Sequence, residues 1–166
     1  MYRSETQTAL SKNILYFLRW TAISIVMGIV CGLIGTIFGY GVIYAQRLFK
    51  TYSFMLYLMP VAGVLIVLLH QMFHEIGNRG TNLILESISS NEKIHMTTLP
   101  CIFVSTILSQ AVGASAGKEG AALQIGGCIG NYLGDLFHMD ERDKKVMIMS
   151  GMSGCFGAIF GTPLAA

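Results

Sequence analysis

The sequence predicts an all-α, polytopic membrane protein whose spans are broken by short or discontinuous helices. Three observations carry this prediction. The 166 residues are 53% hydrophobic and only 12% charged, about half the charge of an average soluble domain, roughly 25%. Mean hydropathy is +0.60. Charge-free runs extend over Trp20–Gln46, Thr51–His74, Ile94–Gly117 and Val146–Ala166, each near the roughly 20 residues that cross a bilayer core.

The polar start "MYRSETQTALSKN" is mixed in charge and unlike a signal peptide. Arg3, Lys12 and Arg19 favour a cytosolic N-terminus by the positive-inside bias. A first long span is expected over residues 13–50. Its Gly28, Gly32, Gly35 and Gly39 recur at spacings of three and four, leaving a nearly bare face for another helix. The second span, "FMLYLMPVAGVLIVLLHQMF", places Pro60 near its start, where the first turn of a helix tolerates it. His70 and His74 near its end lack the HExxH arrangement of a zinc-protease helix and read as interfacial histidines. In "HEIGNRGTNLILESISS", Gly77 and Gly80 predict a turn, with Thr81 or Asn82 capping a short helix through Ser89. A third span, "TTLPCIFVSTILSQAVGASA", leads to a helix expected to begin at Lys118 and to end in the charged loop "HMDERDKK". Gly126, Gly130 and Gly134 form a small-residue stripe on that helix, and Gln124 and Asn131 share another face. The last segment, from Val146, is rich in glycine and stops inside apolar sequence at "GAIFGTPLAA", which predicts a partial protein.

Several function classes are excluded at this level. A net charge of +2, scattered along the chain, does not suggest nucleic-acid binding. Cys31, Cys101, Cys128 and Cys155 lie singly within apolar segments, so neither a zinc site nor a disulfide framework is indicated.

The stretch "GASAGKEGAALQIGG" sets Lys118 and Glu119 among small residues after a membrane-length run. A phosphate loop fails twice, because the glycine spacing is one residue short and Glu119 occupies the hydroxyl position. An intramembrane serine protease would need a base for Ser115, and His138 lies in the charged loop instead. An anion site fits better. A helix start offers unpaired N–H groups and about half a positive charge. Gly117, Gly120 and Ala121 keep side chains away from it, and Lys118 adds positive potential. A carboxylate is itself an anion, so Glu119 can occupy this cradle when deprotonated and leave it when protonated or displaced. Desolvation would bring protons into that exchange. A simple Lys118–Glu119 pair at a helix start is the structural alternative.

"GKEGAALQIGG" closely resembles the "GREGP…QIGG" element of the CLC family of chloride channels and proton-coupled exchangers. "EIGNRGTNLILESI" stands where that family has "GSGIP", and "SGMSGCFGAIFGTPLAA" resembles its "GxxAGxxAAFxAPLAG" segment. The resemblance covers about residues 75–166 by motif and the earlier spans by length and order. It implies the first half of an inverted-repeat fold, so that residues 1–166 form a partial transmembrane domain. It implies that Glu119 is the gating glutamate, framed by Gly117, Lys118, Gly120 and Ala121. Asn78, Arg79, Gly80 and Thr81 would match the inner anion-coordinating loop. The resemblance also implies chloride or fluoride and protons as ligands, a homodimer in a plasma (inner) membrane, no organic cofactor or metal, and no enzyme activity. The family's second-half motifs are absent and its inner proton-transfer glutamate would fall beyond Ala166, so these residues alone are not expected to conduct. Arg79 replaces the family's serine, Asn82 its proline and Ala121 a second proline. These departures leave both chloride and fluoride open, and channel and exchanger share this half. A non-transporting, degenerate half is the remaining alternative.

Overall fold

The structure is a computed structural model that describes residues 2–73, 84, 95–115 and 117–162, with side chains from residue 13 onward. Its elements in order are α1 (Tyr2–Thr51), a 3₁₀ segment η1 (Ser53–Leu58), α2 (Met59–Met72), α3 (Thr98–Ala111), α4 (Lys118–Leu136) and α5 (Glu141–Phe160). Among the described residues there is no strand. The expected all-α architecture is what these residues adopt.

The 50-residue α1 runs through the polar lead-in without a break. Within its stretch Asn13–Thr51 an 18-residue window reaches a mean hydropathy of 2.3, and one within Ser53–Met72 reaches 2.1; both are long and apolar enough to cross a membrane. The second span is not one regular helix. It begins as η1 and becomes α-helical at Met59, with Pro60 in the opening turn as its missing N–H allows. The third apolar run yields only the 14-residue α3, about 21 Å at 1.5 Å per residue and short of a hydrocarbon core. Its end has a local cause. Gly113 adopts φ +84°, and the Gly113 and Ala114 N–H groups close on the Gln110 and Ser109 carbonyls in a Schellman cap. A β-carbon at Gly113 would strike the Phe49 ring, so both φ and space call for glycine.

The charged segment after α4 corrects a sequence expectation. Only His138 and its neighbours form a turn, with His138 at φ 49° completing a second Schellman cap. Most of "DERDKK" belongs to α5, which starts at Glu141 rather than Val146. Asp140 supplies the N-cap, its Oδ1 accepting the Asp143 N–H at 2.9 Å. Glu141 and Asp143 in the first turn suit the positive end of the helix. Lys144 reaches back to Asp135 at 2.6 Å, tying the two sides of the turn.

α4 and α5 lie antiparallel at backbone contact. The Gly126–Gly130–Gly134 stripe makes this approach possible, as its spacing predicts. A β-carbon at Gly126 would overlap the Gly151 carbonyl, one at Gly130 the Met147 carbonyl, and one at Gly134 would sit 3.0 Å from Lys144 Cγ. The glycine face of α1 behaves differently. Only at Gly35 would a β-carbon meet α5, 3.0 Å from Ala158 Cβ, while β-carbons at Gly28, Gly32 and Gly39 would meet nothing within 4 Å. Gly28 and Gly32 face Ser153, Gly154 and Gly157 across an open recess. The buried stripe of α1 is instead Ile23, Met27, Cys31, Phe38 and Val42, packed into one core with Ile125, Ile129 and Cys155. Phe38 packs on Phe103 of α3 as a tilted ring pair with centroids 5.3 Å apart, and Gln46 donates to Gln110 at 3.1 Å. All four cysteines are buried, as expected of small apolar fillers.

Gly130→Val forces a branched side chain into the α5 backbone. It is expected to lower stability in detergent by about 1–3 kcal/mol, measured by thermal unfolding. Gly28→Ala enters open space and is expected to be neutral or stabilising by up to about 1 kcal/mol. Equal losses in the two variants would show that backbone contact along α4 is not the limiting interaction.

Candidate functional site

α4 begins where its sequence says it should. Gly117 is the N-cap residue, extended at φ −67° and ψ 132°, and it offers no side-chain cap. The next residues are Lys118 and Glu119, with Glu119 in the first turn. The contrast with α5, capped by Asp140, is chemical. The cap residue of α4 puts no side-chain oxygen on its first N–H groups, which point ahead of the helix. Gly117 and Gly120 carry no side chain and Ala121 is buried against the core, so the backbone can be approached directly.

Glu119, in the first turn of α4, is exposed among the described residues. The desolvation expected of it is therefore not supplied by these residues. Lys118 does not pair with it. The Lys118 ammonium lies 4.9 Å from the centroid of the Phe160 ring at the far end of α5, and Phe160 in turn packs on Phe156 at 4.5 Å. The simple Lys118–Glu119 pair is thus replaced by a cation–π contact that leaves the carboxylate unencumbered.

Beside the helix start is a recess of about 280 Å³ between α2, α3 and α4. Its polar lining comes from His70, Ser105, Thr106, Ser109 and Gln124, and the α4 side is completed by Gly117, Gly120 and Ala121. The recess thus gathers three expected site residues, Gly117, Gly120 and Ala121, with hydroxyls that the sequence does not single out, while Glu119 is not part of its lining. A signal for them existed: Ser105, Thr106 and Ser109 cluster within about one turn of a mostly apolar helix. Phe160 had no such signal, since only the folded register of α4 on α5 brings it to Lys118. Asn131 is buried within α4, whereas Gln124, seven residues earlier, reaches the recess. Ser115 is exposed in the loop before α4. Asn78, Arg79, Gly80 and Thr81, with the expected Thr81–Ser89 helix apart from helical Ile84, lie outside the described residues, as does His74.

Comparison with known proteins adds to this geometry. The sequence pattern of the family described as voltage gated chloride channel matches residues 2–99 and 62–166. The chain belongs to this family. A chloride/fluoride channel protein of Pseudomonas syringae pv. tomato is 31% identical over 90% of the chain and 33% of that relative. An H(+)/Cl(−) exchange transporter ClcA of Citrobacter koseri is 29% identical over 84% of the chain and 33% of that relative. The crystal structure of a CLC-type fluoride/proton antiporter superposes with a TM-score of 0.80 at 30% identity, over 87% of this chain and 37% of that one. The chain thus spans about a third of the length of the CLC proteins it matches. CLC membership makes it an integral membrane protein of an anion-transporting family, in which the relatives are named as channels and exchangers rather than enzymes.

The Lys118–Phe160 contact is open to measurement. A double-mutant cycle with Lys118→Met and Phe160→Leu is expected to give a coupling of about 0.5–1 kcal/mol in thermal stability. Strict additivity would mean the two groups are neighbours without an energetic link.

Proposed function

We propose that the full-length protein moves a small halide across the membrane in exchange for protons, with Glu119 as the gate. The observation that carries this reading is the uncapped start of α4, where unpaired N–H groups, glycines and a free carboxylate meet beside a polar recess. The helix start attracts an anion through its unpaired donors and its dipole. The Glu119 carboxylate competes for those donors, and its protonation or displacement lets the halide through. Gly117, Gly120 and Ala121 supply close backbone approach. Asn78, Arg79, Gly80 and Thr81 form the inner end of the path in this reading, where an arginine raises the local anion concentration. The protein sits in the plasma (inner) membrane with its N-terminus in the cytosol, and works as a homodimer in which each protomer has its own pore.

Fluoride is the second reading, alongside chloride. Ala121 and Arg79 stand where the chloride-handling pattern has proline and serine. Two of the similar proteins are named for fluoride, one with chloride and one as a fluoride/proton antiporter.

The test is anion efflux from liposomes holding the full-length protein, with chloride, fluoride and pH electrodes run together. Efflux that drives protons inward, with proton movement lost in Glu119→Gln, is the expected result, and the faster electrode names the ion. Efflux without proton movement would make the protein a channel. If neither ion moves, the gate reading fails and the α4 start is structural.

A further inference from the structure

Three sulfur atoms converge in the core between α1 and α5, and the gate described above uses none of them. Cys31 and Cys155 are fully buried. Met27 precedes Cys31 by one helical turn, and its Sδ lies 3.6 Å from the Cys31 Sγ. The Cys31 Sγ is also 3.7 Å from the Gly151 carbonyl oxygen, and the Cys155 Sγ is 3.8 Å from the Cys31 carbonyl oxygen. Each thiol thus reaches across the helix pair, and the two side chains interact directly with each other. An S–H group is a weak donor, so contacts of this length hold the thiols only loosely. Helical spacing alone puts Met27 beside Cys31. Cys155 arrives from another helix, through the register of α5 on α1.

The spacing suits a shared ligand. Sulfurs bound to one metal at about 2.3 Å stand about 3.8 Å apart at the tetrahedral angle, close to the 3.6 Å between Met27 and Cys31. Thiolate and thioether sulfurs are soft donors that select Cu(I)-type ions over hard cations. Among the described residues, no three His, Cys, Asp or Glu side chains group as metal ligands, so the four-ligand arrangement of structural zinc is not met there. Both helices are free of charge here, α1 from Trp20 to Gln46 and α5 from Val146 onward, and an unbalanced ion among them would be costly. A monovalent cation meets this constraint. One thiol gives up its proton as the metal–sulfur bond forms, and the resulting thiolate and cation carry no net charge. A recess of about 500 Å³ provides the way in, lined by Gly28 and Gly32 of α1 and by Gly154 and Gly157 of α5. A β-carbon at Gly154 would sit 3.6 Å from the Cys31 Sγ, so the thiol stands behind a recess wall that carries no side chain.

We propose that Met27, Cys31 and Cys155 form a binding site for one soft monovalent metal ion of the Cu(I) type, entered from the recess between α1 and α5. The two cysteines supply the strong ligands, one of them as thiolate, and the Met27 thioether completes an all-sulfur shell. The bound ion ties α1 to α5 at mid-length. The site stands apart from the Glu119 gate and does not depend on the halide reading.

The experiment titrates the reduced full-length protein in detergent, without oxygen, with Cu(I) held by a colorimetric chelator, whose colour reports the ion taken up. Cys31→Ser and Cys155→Ser are each expected to lose one equivalent of copper relative to wild type. Met27→Leu is expected to keep that equivalent with affinity about tenfold lower or less. Cys101→Ala, a buried cysteine outside the cluster, is expected to match wild type. Copper-edge X-ray absorption of the wild type at one equivalent needs no variant to fold, and is expected to show sulfur ligands alone at about 2.3 Å. Equal copper uptake by wild type and Cys31→Ser would overturn the proposal and leave the cysteines as packing groups. Nitrogen or oxygen ligands in the absorption spectrum, or undiminished affinity in Met27→Leu, would overturn the three-sulfur site as well.

Discussion

The backbone contact between α4 and α5 is the constraint on which the rest of the molecule depends. Gly126 lies against Gly151 and Gly130 against Met147, with Gly134 against Lys144 at the turn end. In a bilayer, lipid tails are as apolar as leucine side chains, so close packing and dispersion rather than water exclusion hold helices together. Glycine is costly within a single helix. Here the cost is offset by contacts that any β-carbon would forbid, and the antiparallel register is fixed to within one residue.

That register reaches the site. Pairing Gly134 with Lys144 and Gly126 with Gly151 carries the end of α5 up to the start of α4, where Phe160 meets Lys118. The lysine is held over an aromatic face, and Glu119 is left free at an uncapped helix start. A charge pair would have neutralised the carboxylate. The cation–π contact retains the positive potential of Lys118 near the mouth without occupying the glutamate.

α3 makes the recess possible by being short. Its Schellman cap at Gly113, enforced by the Phe49 ring, stops the helix before it could fill the space ahead of α4. The chain then passes exposed Ser115 on its way to Gly117. A straight continuation would have buried the α4 start behind another turn of apolar helix. Irregular backbone at membrane depth is tolerated where it borders a polar cavity, and the hydroxyls of Ser105, Thr106 and Ser109 provide that border.

Much of this was legible in one dimension. Charge-free runs fixed the membrane setting, the glycine stripe of α4 announced close packing, and the step from small residues to Lys118 and Glu119 marked a helix start. These are local properties, set by composition, spacing and backbone sterics. The sequence misled where helices compete with charge or with each other. "DERDKK" reads as a loop until Asp140 is seen to cap a helix through it. The bare face of α1 reads as a packing face, although a helix apolar all round can bury any stripe and this one buries Ile23, Met27 and Phe38. The partner of Lys118, the lining of the recess and the free Glu119 carboxylate arise from segments far apart in the chain. By itself the sequence determined which segments become helices and where the decisive one begins. Only the tertiary structure decided what faces that beginning, because helix register, not local pattern, sets which side chains meet across a gap.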